Sequence, residues 1–528
     1  MPEAITYERR RPEATTLYQV VQDNLETLYG AVDDGAVKLA LPRFVKKELE
    51  GYLDCGLLCR GFARLRCDAC AETRLVAFAC KGRGFCPSCL GRKMSATAAN
   101  LVDYVMPKVA LRQWVLTVPF AWRSRLGFDG ALLGAVVRKF ADAVLAFYRR
   151  RLAEEDGVVG QSEAVLVVQR TSSDLRLNPH VHAVFLDGVH HEGPEGEVDF
   201  HALSGLQTEE IARVLEDAAR RITRYLRRRG LFADDGDEDT GALTAPQGDE
   251  SVALAELAAT AASGMTPPAG PSWRRGALPA LTHDRDFDRH LSVGRGGFTL
   301  HAATRAGAMD ERGRGREALL RYVLRPPIAQ ERVTPGPEGL VRVALKKRFS
   351  DGTFAVDLDP LSLLTRLCAS VPPPRFHTVR YVGVLASASK LRPRILPEPP
   401  REASGTVDAN EEKEPRPRRC RYRPWAELMM RTFAVDVLCC PRCLGRLRLV
   451  ALMTEPKEIR RYLRALAEPT EAPARSPARG SPNTQRGPVN AGHDQRARSP
   501  PPCPRPSAPR LGPLSGAQPS LSHTLRGP

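Results

Sequence analysis

Two histidines separated by a single valine, His180-Val181-His182, stand at the head of the apolar run HVHAVFL, residues 180–186. Side chains alternate along an extended chain, so both imidazoles leave one face of a strand and Val181 leaves the other. Two imidazoles at that spacing can chelate one divalent cation. Asn178-Pro179 sets where the strand begins. The pattern is short, and with 11 histidines in the chain it also arises in ordinary strand cores. Its weight comes from a tyrosine further on, in Arg316-Glu-Ala-Leu-Leu-Arg-Tyr322-Val-Leu-Arg-Pro-Pro327. This segment reads as a short helix, entered through glycines 313 and 315 and stopped by Pro326-Pro327. Leu319 and Val323 face a core, and Arg321 and Arg325 flank the phenol. A phenol, with a pKa of about 10, is a weak nucleophile. A divalent ion polarising a phosphate, with guanidiniums stabilising phenolate and transition-state charge, is what tyrosine attack on a phosphodiester requires. Such attack leaves a phosphotyrosyl link and a free hydroxyl, and it needs no ATP because the link conserves the bond energy.

A second chemistry lies upstream. Cys67-x2-Cys70 is followed, after fifteen residues, by Cys86-x2-Cys89. A CxxC turn brings two thiolates onto one ion, and two such turns close a four-sulfur site at Zn–S distances of about 2.3 Å. The expectation is therefore one structural zinc held by Cys67, Cys70, Cys86 and Cys89. Cys55, Cys59 and Cys80 lie nearby, able to replace one ligand or to form a second site. Lys81, Arg83, Arg92 and Lys93 surround the second pair, and Arg83, Arg92 and Lys93 are candidate DNA contacts. A lone CxxC, Cys440-x2-Cys443, with Cys420 and Cys439 near it, is a weaker metal candidate. The 13 cysteines cluster in this way instead of spreading along the chain, which points to reduced, metal-binding thiols and not to a disulfide framework.

The elements that must position these groups are legible in outline. The chain has 528 residues, with 78 Lys and Arg against 61 Asp and Glu, a net charge of +17. That excess favours a polyanionic partner such as nucleic acid. No run is long and apolar enough for a membrane span, and the N-terminus lacks a signal pattern, so the cytosol is the expected compartment. Residues 1–50 read as helical. Residues 51–110 form a zinc-binding domain. Residues 111–396 form the catalytic domain, with 233–278 a linker or insertion. Then follow a linker at 397–421, a small module at 422–466 and a disordered tail at 467–528. Residues 112–119, 164–170 and 180–186 read as strands, the last two an antiparallel pair. Helices are expected over about 131–152 and 208–229, the second capped by Thr208 and crowded with arginine in its last turns. His190-His191 reads as a polar loop. The fold class is α+β, an antiparallel sheet flanked by helices behind a zinc-ribbon-like module.

Taken together, the segments resemble HUH-type rolling-circle insertion-sequence transposases, the IS-ninety-one group. The matching stretches are Gly61 to Cys70, Cys80 to Cys89, Arg112 to Pro119, Asn178 to His182, Gly297 to His301 and Tyr322 to Pro327. The resemblance implies single-strand nicking at element ends, a 5′-phosphotyrosine intermediate and strand transfer. His180 and His182 fall on the metal-binding positions and Tyr322 on the nucleophile. Two-tyrosine members carry a second tyrosine four residues away; here residue 318 is Ala and residue 326 is Pro, so the chain is similar to the single-tyrosine, common-region branch. A second protomer of a homo-oligomer, or a freed DNA hydroxyl, then makes the second attack. For a third metal ligand His301 is the first candidate and Gln169 the second. Magnesium or manganese suits this site better than zinc. Two other readings remain: a relaxase or replication initiator of the same chemistry, and a non-enzymatic, zinc-dependent DNA-binding protein.

Overall fold

The computed structural model describes residues 5–34, 41–231, 249–263, 286–308, 314–349, 352–397 and 422–479. At its centre lies a seven-stranded sheet. In spatial order the strands are β15 (Val379–Gly383), β5 (Glu163–Thr171), β6 (Leu177–Leu186), β4 (Leu111–Thr117), β11 (Phe298–Ala306), β10 (Ser292–Arg295) and β9 (Phe287–Arg289). Every pairing is antiparallel. The expected strand pair is present as β5 and β6. Both are apolar on both sides because both sides are covered. Trp114, Leu116, Leu166, Val181, Ala183 and Phe185 face α5 (Gly130–Glu155) and α6 (Thr208–Arg228). Leu111, Val165, Val167, Val184 and Leu186 face α3 (Pro87–Tyr104) and α8 (Arg314–Leu324). Each of these Val, Leu and Phe side chains, buried in full, contributes about 1.5–3 kcal/mol. Strand alternation then puts His180 and His182, in phase with Val184 and Leu186, on the face that the tyrosine helix α8 covers.

A buried polar knot locks the histidine strand to its neighbours. Asp187, fully buried, accepts hydrogen bonds from Arg112 at 2.8 and 3.0 Å, from the Tyr148 hydroxyl at 3.0 Å and from Arg305 at 2.7 Å. These partners come from β4, α5 and β11, so one carboxylate ties three elements to the end of β6. The cap of α6 differs from expectation. Gln207 occupies the cap and forms a capping box with Glu210, while the Thr208 hydroxyl accepts from the Leu291 amide. The next residues, His190 and His191, are not loop. They lie on β7 (Gly188–Glu192), paired with β8 (Val198–Ala202), and His190 is buried 2.7 Å from Glu163.

A second core joins α1 (Thr16–Asp33) and α2 (Arg43–Asp54) to α7 (Asp249–Ser263), α9 (Pro360–Ser370) and a small sheet of β12 (Val333–Pro335), β13 (Val341–Ala344) and β14 (Ala355–Leu358). Within the stretch read as a linker or insertion, α7 buries Leu257, Ala258, Ala261 and Ala262 against α4 (Phe120–Phe128) and α9. The small alanine side chains hid an amphipathic stripe. Short α10 (Arg392–Ile395) ends this part.

The segment read as a small C-terminal module folds onto the front of the chain. β17 (Leu447–Met453) pairs with β2 (Phe62–Cys67), which pairs with β3 (Thr73–Ala77). β16 (Val435–Asp436) pairs with β1 (Ile5–Thr6). α11 (Trp425–Phe433) packs on α3, and α12 (Pro456–Ala465) buries Ile459 and Leu463 with Leu58 and Phe62. Of the stretch expected to be disordered, residues 467–479 are described, and 474–479 run along α1. Arg475 pairs with Glu26 at 3.0 Å, the Ser476 hydroxyl donates to Asp23 at 2.9 Å, and Gln22 donates to the Ala474 carbonyl at 2.6 Å. Polar complementarity orders this stretch without an apolar core. Residues 480–528 of the expected tail, and most of 233–278, lie outside the described residues.

Candidate active site and cysteine centres

His180 and His182 leave β6 side by side, with ring centroids 5.0 Å apart. Each spends the same nitrogen. Nδ1–H of His180 donates to the Asn178 carbonyl at 2.7 Å, which fixes the tautomer and leaves the Nε2 lone pair free. Nδ1 of His182 lies 2.5 Å from the side-chain amide of Gln113, while its Nε2 is buried and has no partner. An amide can present either its nitrogen or its oxygen. With a cation on Nε2 the imidazole carries its proton on Nδ1, and Gln113 presents oxygen to accept it. Unspent Nε2 atoms on neighbouring rings are what a chelating pair requires, and the donor set fits a divalent cation.

Burial sets the charge of both rings. It pushes the His180 imidazole down to about 4; Lys346, Arg325 and Arg123 add to the fall, and the bond to Asn178 opposes it. Burial, then His180, Arg325 and Lys346, holds His182 well below the ordinary imidazole range. Burial, then Arg325 and Arg332, brings Lys346 down to about 7. Because the folded values lie below the unfolded one, both imidazoles stay neutral as pH falls through 6.5, and their lone pairs stay available. Affinity for Mn2+ should therefore hold within about threefold between pH 7.5 and 5.5, where an ordinary imidazole would lose about tenfold. Calorimetric titration at the two pH values checks this, and a tenfold or steeper loss would contradict it.

Tyr322 is brought to this pair. Its ring centroid lies 6.2 Å from that of His182, with the planes nearly perpendicular at 83°. The helix is held down by Leu319, Leu320 and Val323, and the phenol is left 44% exposed, open to a large substrate. The Arg325 guanidinium sits 4.1 Å above the Tyr322 ring. Arg321 lies on the same helix, partly buried. Gln169, opposite His180 on β5, donates its amide to the Val323 carbonyl at 2.6 Å. A helix leaves its last carbonyls unsatisfied, and this bond pins the end of α8 to the strand beside the histidines.

The first-choice third ligand is not gathered in. His301 is in register with Val115, which is in register with His182, so it shares their face. Two strand spacings, about 10 Å, separate it from them. It does not join them in a cluster, and its Nδ1 meets the Ser292 hydroxyl. Gln113 and Lys346 were missed. A lone glutamine in the run LRQWVLTV was the available signal for Gln113, but its facing depends on strand register. Gln113→Leu should weaken Mn2+ binding about 10- to 100-fold with little change in melting temperature, the usual cost of losing an outer-shell partner; unchanged affinity would contradict the role given to Gln113.

The cysteines pair differently from expectation. Cys86 and Cys89 join Cys55 and Cys80, whereas Cys67 and Cys70 face Cys440 and Cys443. The reason is the β2–β3 hairpin. Cys67 and Cys70 sit at its turn, while Cys55 and Cys80 sit at its open end, about 20 Å away at 3.3 Å per residue. In the first centre Cys55 lies 3.7 Å from Cys89 and 3.6 Å from Cys86, and Cys80 lies 3.4 Å from Cys89. Four sulfurs about 2.3 Å from one ion stand about 3.8 Å apart, so the cage fits zinc. Cys55 ends α2, and Cys86 caps α3 with Pro87 behind it. Of the basic residues nearby, Arg83 donates to the Phe376 carbonyl at 2.8 Å and Arg92 to the Tyr422 hydroxyl at 2.9 Å, while Lys93 stays exposed. The first two guanidiniums are thus partly engaged within the protein.

With this geometry in place, comparison with known families is direct. Residues 164–392 match the family described as Putative transposase. Residues 31–118 match the Transposase zinc-binding domain. The first spans the histidine pair and Tyr322, the second the Cys55, Cys80, Cys86 and Cys89 centre. The resemblance to the IS-ninety-one group is shown by these matches: the chain carries the domains of a zinc-binding, DNA-processing transposase. No curated protein and no solved structure matches it. Among the described residues no helix is long and apolar enough to cross a membrane.

Proposed function

We propose that this transposase cuts single-stranded DNA at the ends of its element by attack of Tyr322 and passes the strand on through a phosphotyrosyl intermediate. The observation that carries the reading is the meeting of three side chains: two neutral imidazoles with unspent Nε2 atoms and one exposed phenol whose ring lies 6.2 Å from the nearer imidazole. Nε2 of His180 and Nε2 of His182 would hold Mg2+ or Mn2+, and the ion would supply polarisation of the scissile phosphate.

The chain's own groups do the rest. The Tyr322 oxygen forms the new P–O bond, the bond from phosphorus to the 3′ oxygen breaks, and the proton lost by the phenol is balanced by one taken up by the departing 3′ oxygen, which leaves as a free hydroxyl. Arg325, stacked on the phenol ring, and Arg321 stabilise charge on the phenolate and on phosphorus. Gln169 holds the helix end in place. Because α8 offers one tyrosine, return of the strand falls to a freed DNA hydroxyl or to Tyr322 of a second copy. Such a reaction takes place in the bacterial cytosol, where DNA and divalent ions are both at hand.

The test is capture of the intermediate: full-length protein, Mn2+ and a single-stranded oligonucleotide carrying the element end, analysed for a nucleotide-modified tryptic peptide containing Tyr322. A DNA adduct on another residue, or none, overturns the reading in favour of a zinc-dependent DNA binder.

A further inference from the structure

Cysteines outside the first centre make a second cage, whose facing thiols come from residues 370 and 376 positions apart. Cys67 Sγ lies 3.5 Å from Cys443 Sγ, and Cys70 Sγ lies 3.6 Å from Cys440 Sγ. All four sulfurs lie within 4.8 Å of one another. We propose that Cys67, Cys70, Cys440 and Cys443 hold a second structural zinc ion, which clasps the C-terminal segment 422–466 onto the N-terminal domain as one split zinc ribbon.

The two halves are built alike. In the first, the Cys67 amide donates to the Glu72 carbonyl at 2.8 Å and the Ala71 amide to the Cys67 carbonyl at 3.1 Å. In the second, the Cys440 amide donates to the Gly445 carbonyl at 2.8 Å and the Leu444 amide to the Cys440 carbonyl at 2.8 Å. The offsets from the leading cysteine, four and five residues, are the same. So is the backbone: the residue after the second cysteine is left-handed in both, Ala71 at φ 60° and Leu444 at φ 59°. Non-glycine residues adopt that region uncommonly. A matched pair of such turns, each aiming two thiols at the other, is the architecture of a four-thiolate zinc site. Gly445 fits the same purpose, since a Cβ there would stand 3.2 Å from Cys443 Sγ and 3.3 Å from Cys67 Sγ. The strands agree as well, with Leu447 paired to Cys67 in β17–β2.

The clasp secures more than its own ribbon. Between the linker and the second CxxC, α11 carries Arg431, which donates to Asp103 on α3 at 2.7 and 2.9 Å and to Glu317 on α8 at 2.7 and 2.9 Å. One guanidinium thus joins the helix that begins in the first cysteine centre to the helix that carries Tyr322. A zinc at residues 440–443 fixes the segment from which that arginine reaches.

Metal analysis of the full-length protein, purified with zinc and without chelator, is expected to give two zinc ions per chain. The double variant C440S/C443S should give one, and limited proteolysis should then cut it within 422–466. Exchange of the bound zinc of the intact wild type for Co2+ should bring in two equivalents before the thiolate charge-transfer absorption saturates, which keeps the test independent of how the variant folds. One zinc and one cobalt per wild-type chain, or two zinc ions in the double variant, overturns the proposal. Neither readout depends on DNA cleavage.

Discussion

Tyr322→Phe is expected to abolish the covalent DNA adduct and to lower nicking at least about a thousandfold, because in the proposed reaction it removes the atom that forms the new bond to phosphorus. The change should be silent in other respects. The side chain is 44% exposed and loses only its hydroxyl, so stability should shift by no more than about 0.5 kcal/mol. The Arg325 guanidinium keeps an aromatic face to stack on, and the imidazole pair is untouched. Affinity for single-stranded DNA and for Mn2+ should therefore match wild type within about twofold. That split, binding intact and chemistry gone, is what a gel assay for protein–DNA adducts combined with a binding titration would read. An undiminished adduct in the variant would remove Tyr322 from the mechanism.

The second large effect concerns the first cysteine centre. Replacing Cys86 and Cys89 with serine should remove one zinc and take the catalytic domain down with it. Structural zinc sites contribute on the order of 10 kcal/mol, against a total domain stability of about 5–15 kcal/mol. Their loss also reaches the active site, since Cys86 and Cys89 begin α3, and Ala98 and Leu101 further along that helix pack against the sheet face that carries the histidines. Little or no soluble folded protein is expected. For wild type, a strong chelator should lower the melting temperature by well over 10 °C. A chelated protein that melts unchanged would mean that the thiols are a packed core and not a metal cage.

Much of this arrangement could be read before any coordinates. The histidine pair and Tyr322 were legible because each is a local pattern: alternation along an apolar strand, and a glycine-entered, proline-stopped helix. The apolar runs at 164–170 and 180–186 gave β5 and β6, and the resemblance tied the segments into one fold. What stayed hidden depends on register or on distance along the chain. Gln113 supports His182 only because β4 pairs with β6 in a particular register, and Gln169 grips α8 only once that helix is docked. His301 has the right residue type on the right face, but lies two strands away. CxxC spacing announces a zinc turn but does not say which turns share an ion; the length of one hairpin decided that. Single cysteines such as Cys55 and Cys80 carry no spacing signal of their own.

The position of Arg431 has a consequence for the order in which the protein becomes competent. On a ribosome the seven strands of the central sheet, both histidines and Tyr322 are all synthesised before the guanidinium that bridges Asp103 and Glu317 exists. A nascent chain, or a product truncated before residue 431, holds every group named in the chemistry and lacks the brace between its two covering helices. The two helices that cover the histidine face therefore gain their common brace only once the chain has been made past residue 431.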